Sequence, residues 1–218
     1  MSAPVSHEVR ILFLGDSYTV GESVANDQAW PSRLVAMLRA GGVIVAAPVI
    51  IAQTGWTTDE LSAAIDAARP RETFDIVTLL IGVNNQYRDR PIEAYQEQFV
   101  ELLERAVDFA AGVASHVIVL SVPDWSITPF ANGRDRDRIS AAIDAFNMVN
   151  RAEAKYAGAR YVDITLSSRR AASEPELLAS DDLHPSGEMY AIWADLVLPV
   201  ALDILGIRQF QAAQPDEL

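Results

Sequence analysis

The chain has 218 residues, 50% of them hydrophobic, with 17 basic and 30 acidic side chains and a formal charge of −13. A chain of this length buries about 70% of the surface its unfolded form exposes, which predicts one domain spanning 1–218 with frayed tails at about 1–8 and 209–218, and excludes a disordered chain. The acidic surface repels phosphate backbones and anionic lipid heads, so neither nucleic acid nor a membrane is expected as a partner.

Cysteine is absent from the sequence, which excludes disulfides, thiolate metal sites and cysteine nucleophiles. The segment Met1–Arg10 has no apolar core of signal-peptide length, and no apolar stretch is long enough to span a bilayer. A cytoplasmic location is the expectation. The first apolar run, Val9–Leu14, reads as a buried strand and stops at Gly15-Asp16-Ser17. A serine just past a strand end suits a nucleophile, although Asp and Ser after glycine are also ordinary turn and cap residues. Helical periodicity follows over Gln28–Ala40, with Pro31 in the first turn and Gly41-Gly42 at the end.

The second run, Val43–Ile51, leads into Gln53-Thr54-Gly55-Trp56. Gly55 is there either as a plain φ > 0 turn residue or to offer a backbone N–H to a bound oxyanion. A helix over Thr58–Ala68 is announced by the spacing of Thr57 and Glu60. The third run, Ile76–Ile81, ends in Gly82-Val83-Asn84-Asn85, where asparagine serves as a turn residue or as an amide aimed into a cleft. Ile92–Ala111 is a long amphipathic helix with Tyr95, Phe99, Leu102 and Ala106 on one face. The fourth run, His116–Val122, opens into the irregular stretch Pro123–Asp137. A helix over Arg138–Tyr156 and a short strand at Arg160–Ile164 follow. Late in the chain, Asp181-Asp182-Leu183-His184-Pro185 places an acid three residues before a histidine, and Ser186–Leu205 is the last helix.

Strands apolar on both faces, alternating with helices, predict an α/β fold. The expected architecture is a three-layer α/β/α sandwich around a parallel, five-stranded, flavodoxin-like sheet. Ligands bind such sheets at the carboxyl ends of the strands, where Ser17, Gly55 and Asn84 all fall. Three scattered histidines offer no metal cluster, and no Gly-rich phosphate loop occurs, so no metal or cofactor is expected. His7 and His116 read as bystanders, and Asp16 as a residue that ties down the turn around Ser17.

Ser, Gly, Asn and His thus occur in order, in the blocks Gly15-Asp16-Ser17, Gly55, Gly82-Val83-Asn84-Asn85 and Asp181 with His184. From Ile11 to about Leu198 the chain resembles the SGNH hydrolases, the GDSL esterase and lipase superfamily. The resemblance implies a carboxylic ester hydrolase acting on a small-molecule ester, with Ser17 as nucleophile, His184 as general base and Asp181 orienting the histidine. It also implies an oxyanion hole formed by the backbone N–H groups of Ser17 and Gly55 and the side chain of Asn84. The family's third block commonly reads Gly-x-Asn-Asp, whereas Asn85 stands in the last position here; altered loop bonding is expected, with the role of Asn84 intact. Asp182, two residues before the histidine, is expected to face solvent.

Trp56, Tyr87, Trp125 and Phe130 either line a substrate pocket or cover the core. Arg88 and Arg90 either meet an anionic substrate head or pair with Asp89 or Glu93. The resemblance leaves open a thioester, a lysophospholipid or an acetylated sugar as substrate. The same architecture also serves flavodoxin-like and sugar-binding modules without catalysis. Such modules would lack a reactive serine.

Overall fold

In a computed structural model, which describes residues 7–207, five parallel strands form one sheet: β1 (Ile11–Gly15), β2 (Val49–Ala52), β3 (Ile76–Leu80), β4 (Val117–Leu120) and β5 (Arg160–Val162). Their order is β2-β1-β3-β4-β5, with Gly15 level with Ala52 on one side and Leu80 on the other. The α/β sandwich expected from the alternation of runs is the architecture found. Most of the two expected frayed tails lies outside the described residues. His7, expected within the first of them, reaches Asp75 at 2.8 Å.

Each strand sends alternate side chains to opposite faces, as its pleat requires. Ile11, Phe13, Ile76, Leu80, Ile118 and Leu120 join one apolar cluster with the helices α2 (Trp30–Ala40) and α8 (Gly187–Ile204). Leu12, Leu14, Val77, Leu79, Val117 and Val119 join a second with α3 (Thr58–Ala68) and α5 (Ile92–Phe109). This two-sided burial explains why the strands read as continuous apolar runs. The long helix α6 (Arg136–Ala157) contributes Ile139 and Ile143 to the first cluster and Phe146 and Ala154 to the second.

The second strand is a correction. Val43–Ile51 was expected as one run, but pairing is split into an isolated bridge at Val45 and β2 from Val49 onward. Pro48 sits between them without an N–H to donate, which breaks the ladder. Four-residue α1 (Ser17–Val20) and α7 (Thr165–Ser168), and five-residue α4 (Val83–Tyr87), were not legible as helices. They are too short to show apolar periodicity. Among the described residues, no helix is long and apolar enough to cross a membrane.

Candidate active site

The site lies at the carboxyl ends of β1, β2 and β3. Gly15 ends β1 where a Cβ would collide with the Thr19 side chain and the Leu80 carbonyl, so glycine lets the turn pack directly on β3. Asp16 then caps α1, its Oδ1 accepting from the Tyr18 N–H at 3.1 Å. That is the supporting role the sequence suggests. Ser17 is the first residue of α1 and is 4% exposed.

The loop before α8 brings the acid and histidine together. Its backbone closes on itself, with the Ala179 N–H donating to the His184 carbonyl and the Asp182 N–H to the Ala179 carbonyl. Asp182 takes φ +61°, a left-handed conformation that Asp tolerates better than most residues. Its carbonyl accepts from the Phe130 N–H while its side chain is exposed, as expected. Asp181 Oδ1 accepts from the backbone N–H groups of Leu183 and His184, and Oδ2 meets His184 Nδ1 at 2.6 Å. On the other edge of the ring, His184 Nε2 lies 3.0 Å from Ser17 Oγ.

Burial works against the Asp181 carboxylate, but hydrogen bonds from Ser23, the His184 ring and two backbone N–H groups outweigh it and hold its pKa near about 2. The acid therefore remains ionised over the range in which a histidine can act as a base. The chain Asp181–His184–Ser17 can draw the hydroxyl proton from Ser17 and stabilise the resulting imidazolium. Sequence reasoning missed Ser23, whose hydroxyl donates to Asp181 Oδ2 at 2.6 Å from 158 positions away. It missed Tyr18 as well, whose ring centroid lies 5.3 Å from that of His184.

Asn84 reaches the same cleft as Ser17, and its Nδ2 donates to the Trp56 carbonyl at 2.9 Å. One amide hydrogen is thereby anchored and the other is left for a ligand. Asn85 turns away. Its Oδ1 accepts from the Thr58 N–H at 3.1 Å and its Nδ2 donates to Thr58 Oγ1 at 2.7 Å, fastening the end of β3 to the start of α3. Gly55 has φ +88°, so the turn requirement alone calls for glycine, and its carbonyl accepts from Arg88 Nη2 at 2.7 Å.

Tyr87, Trp125 and Phe130 line the cleft with Ser17, Tyr18, Val83, Asn84, Leu183 and His184. Trp56 does not line it: of the two placements open to it, the pocket one is set aside and the core one is found, its side chain packing on the apolar cluster beneath α3 and α5. The turn after β2 is closed by the Trp56 N–H donating to the Gln53 carbonyl, and the ring finds its apolar partners in that helix layer. Arg88 is paired as expected, but with Glu60 in place of Asp89 or Glu93. Asp89 instead meets Arg138. Arg90 lies along a separate cleft with Arg134 and Arg138. Among the described residues no group of acidic or histidine side chains is arranged to hold a metal.

The sequence profile of the GDSL-like Lipase/Acylhydrolase family matches residues 13–192. Comparison with curated proteins finds no match. Among solved structures, TesA aligns with TM-score 0.69 at 18% identity, covering 89% of this chain and 99% of its own. The acetylxylan esterase Axe2 from Geobacillus stearothermophilus aligns at 0.68 and 18%, covering 96% and 100%. A lipolytic protein of the G-D-S-L family from Veillonella parvula DSM 2008 aligns at 0.69 and 18%, covering 88% and 97%. At these identities the solved structures speak for the shared fold, and the profile, which spans the serine turn and the histidine loop, carries the assignment. The chain belongs to the GDSL-like lipase/acylhydrolase family, within the SGNH hydrolase superfamily.

Proposed function

We propose that this protein hydrolyses carboxylic esters through an acyl-enzyme formed on Ser17. One observation carries the reading: an unbroken line of hydrogen bonds from Asp181 through His184 to Ser17, ending at a cleft that Asn84 also faces. His184 Nε2 takes the hydroxyl proton as Ser17 Oγ attacks the ester carbonyl carbon. The tetrahedral oxyanion is held by the Asn84 amide and by the N–H groups of Ser17 and Gly55. Its collapse breaks the bond to the alcohol oxygen, which leaves with the proton from His184. Water, deprotonated by the same nitrogen, then attacks the acyl carbon; collapse breaks the bond to Ser17 Oγ, which takes the proton back from His184 as the acid leaves. A fluorophosphonate probe should label Ser17 in the wild type and leave Ser17→Ala unlabelled. Esterase turnover that survives Ser17→Ala would overturn the mechanism.

Cleft size supports a short acyl group. The space beside Ser17 is about 140 Å³, close to the roughly 150 Å³ that accommodates a benzene ring. Its wall is three aromatic rings in mutual contact, with centroids 5.5 Å apart for Tyr87–Trp125, 6.1 Å for Tyr87–Phe130 and 5.9 Å for Trp125–Phe130. On a panel of p-nitrophenyl esters, kcat/KM should be highest for acetate to butyrate and fall about tenfold or more by octanoate, as the added methylenes find no buried space. Equal rates on dodecanoate and acetate would refute a cleft that selects short acyl groups.

A further inference from the structure

We propose that Ser23 is a positioning residue for this hydrolytic site, holding the Asp181 carboxylate in the orientation that aims His184 at Ser17. The inference rests on the serine-hydrolase reading above.

Asp181 Oδ2 is shared: His184 Nδ1 and Ser23 Oγ both reach it at 2.6 Å. Oδ1 is already committed to two backbone N–H groups of its own loop. Those bonds hold Oδ1 within its own loop, so the line of Oδ2 toward the histidine depends on what Oδ2 itself meets. Besides the His184 ring, the Ser23 hydroxyl is the donor that holds Oδ2, and it comes from a different segment of the chain.

The backbone around Ser23 is shaped for this delivery. Gly21 and Glu22 both donate their N–H groups to the Ser17 carbonyl, so the segment turns back directly after the nucleophile helix. Ser23 then takes φ +66°, a conformation that costs a non-glycine residue energy and persists where surrounding contacts hold it. Glycine would suit that backbone better, yet a serine stands there, and its hydroxyl is what the strain delivers. The turn is anchored on its other side too, since the Glu22 carboxylate accepts from the Thr54 hydroxyl, one residue before Gly55. Two consecutive residues thus tie the nucleophile's own helix to the acid loop and to the loop after β2.

The informative variant is Ser23→Gly, which keeps the left-handed backbone without strain and removes the hydroxymethyl group that carries the bond to Asp181. We expect kcat on a short p-nitrophenyl ester to fall about tenfold, the scale of one lost hydrogen bond to a charged group. KM should stay within about twofold, because Ser23 touches no substrate. In an Asp181→Ala background the same change should alter kcat by less than about twofold, since no carboxylate remains to be held. A full tenfold loss in that background, an effect on KM alone, or wild-type kcat in Ser23→Gly would overturn the proposal. Thermal melts of each variant separate misfolding from mispositioning, and a loss that tracks the melting temperature also counts against it. Absence of fluorophosphonate labelling in the wild type would remove the hydrolase reading and this role with it. Intact Ser17 labelling with no Ser23 effect would remove the Ser23 role alone.

Discussion

Asn84 and Asn85 are adjacent and chemically identical, and only their surroundings distinguish them. Asn84 is half-buried at the cleft, whereas Asn85 is sealed at 2% exposure against Thr58. Losing one oxyanion donor typically lowers kcat by about 10²–10³ with little change in KM, and Asn84→Ala should do so. Asn85→Ala should leave the rate within a few-fold and lower the melting temperature, because it strands the Thr58 N–H. Asn85→Asp should be mild. The carboxylate still accepts from that N–H at a helix start, although Thr58 must then turn its hydroxyl away from Gln98. Steady-state kinetics with thermal melts decide among these outcomes. Equal kinetic losses at both positions would remove the distinction.

Asp16 offers a second test at this scale. Burial pushes its pKa to about 7 against weaker lowering by the backbone N–H groups of Tyr18 and Asp16, and its Oδ2 is buried without a partner among the described residues. The folded protein therefore keeps a proton there that the unfolded chain releases near about 3.9. Stability from this group is full below that pH and declines as pH rises toward about 7. Asp16→Asn mimics the protonated acid. It should gain stability relative to the wild type as pH is raised from 5 to 8 in denaturant titrations. A constant difference across that range would contradict the assignment.

At the scale of elements, the segment between β4 and α6 supplies two of the three rings of the aromatic wall and the arginine that braces all three. The Arg134 guanidinium lies 5.0 Å from the Tyr87 ring centroid, 5.4 Å from Trp125 and 5.5 Å from Phe130, and donates to Tyr87 Oη at 3.1 Å. One cation facing three rings holds their mutual angles in a way that lysine, lacking the planar fork, does not reproduce. Arg134→Ala should loosen the wall and raise the kcat/KM ratio of octanoate to acetate esters by several-fold, with Arg134→Lys intermediate. An unchanged ratio would mean that the rings are held by their own packing and by the Trp125 Nε1–H bond to Gln86. Nothing in the sequence pointed to this brace, because irregular backbone carries no periodicity from which side-chain direction can be read.

For the whole molecule, a formal charge of −13 places compact folding under self-repulsion. Raising NaCl from about 10 mM to about 150 mM shortens the Debye length from roughly 30 Å to 8 Å, so the melting temperature should rise over that interval. A fall would mean that attractive pairs such as Arg169 with Asp124 and Asp144 dominate the salt response. The sequence by itself determined the alternation of strand and helix, the parallel sheet and the order of the family blocks. Apolar runs buried on both faces and capping residues are local signals. Glycine and proline are local too, yet the break at Pro48 was legible only once the neighbouring strand was in view. What Trp56 packs against, which way Asn85 points and the hold of Ser23 on Asp181 were decided by tertiary structure alone. Each depends on groups distant in sequence meeting at the rim of the sheet, and a side chain's direction there is set by the partner it finds.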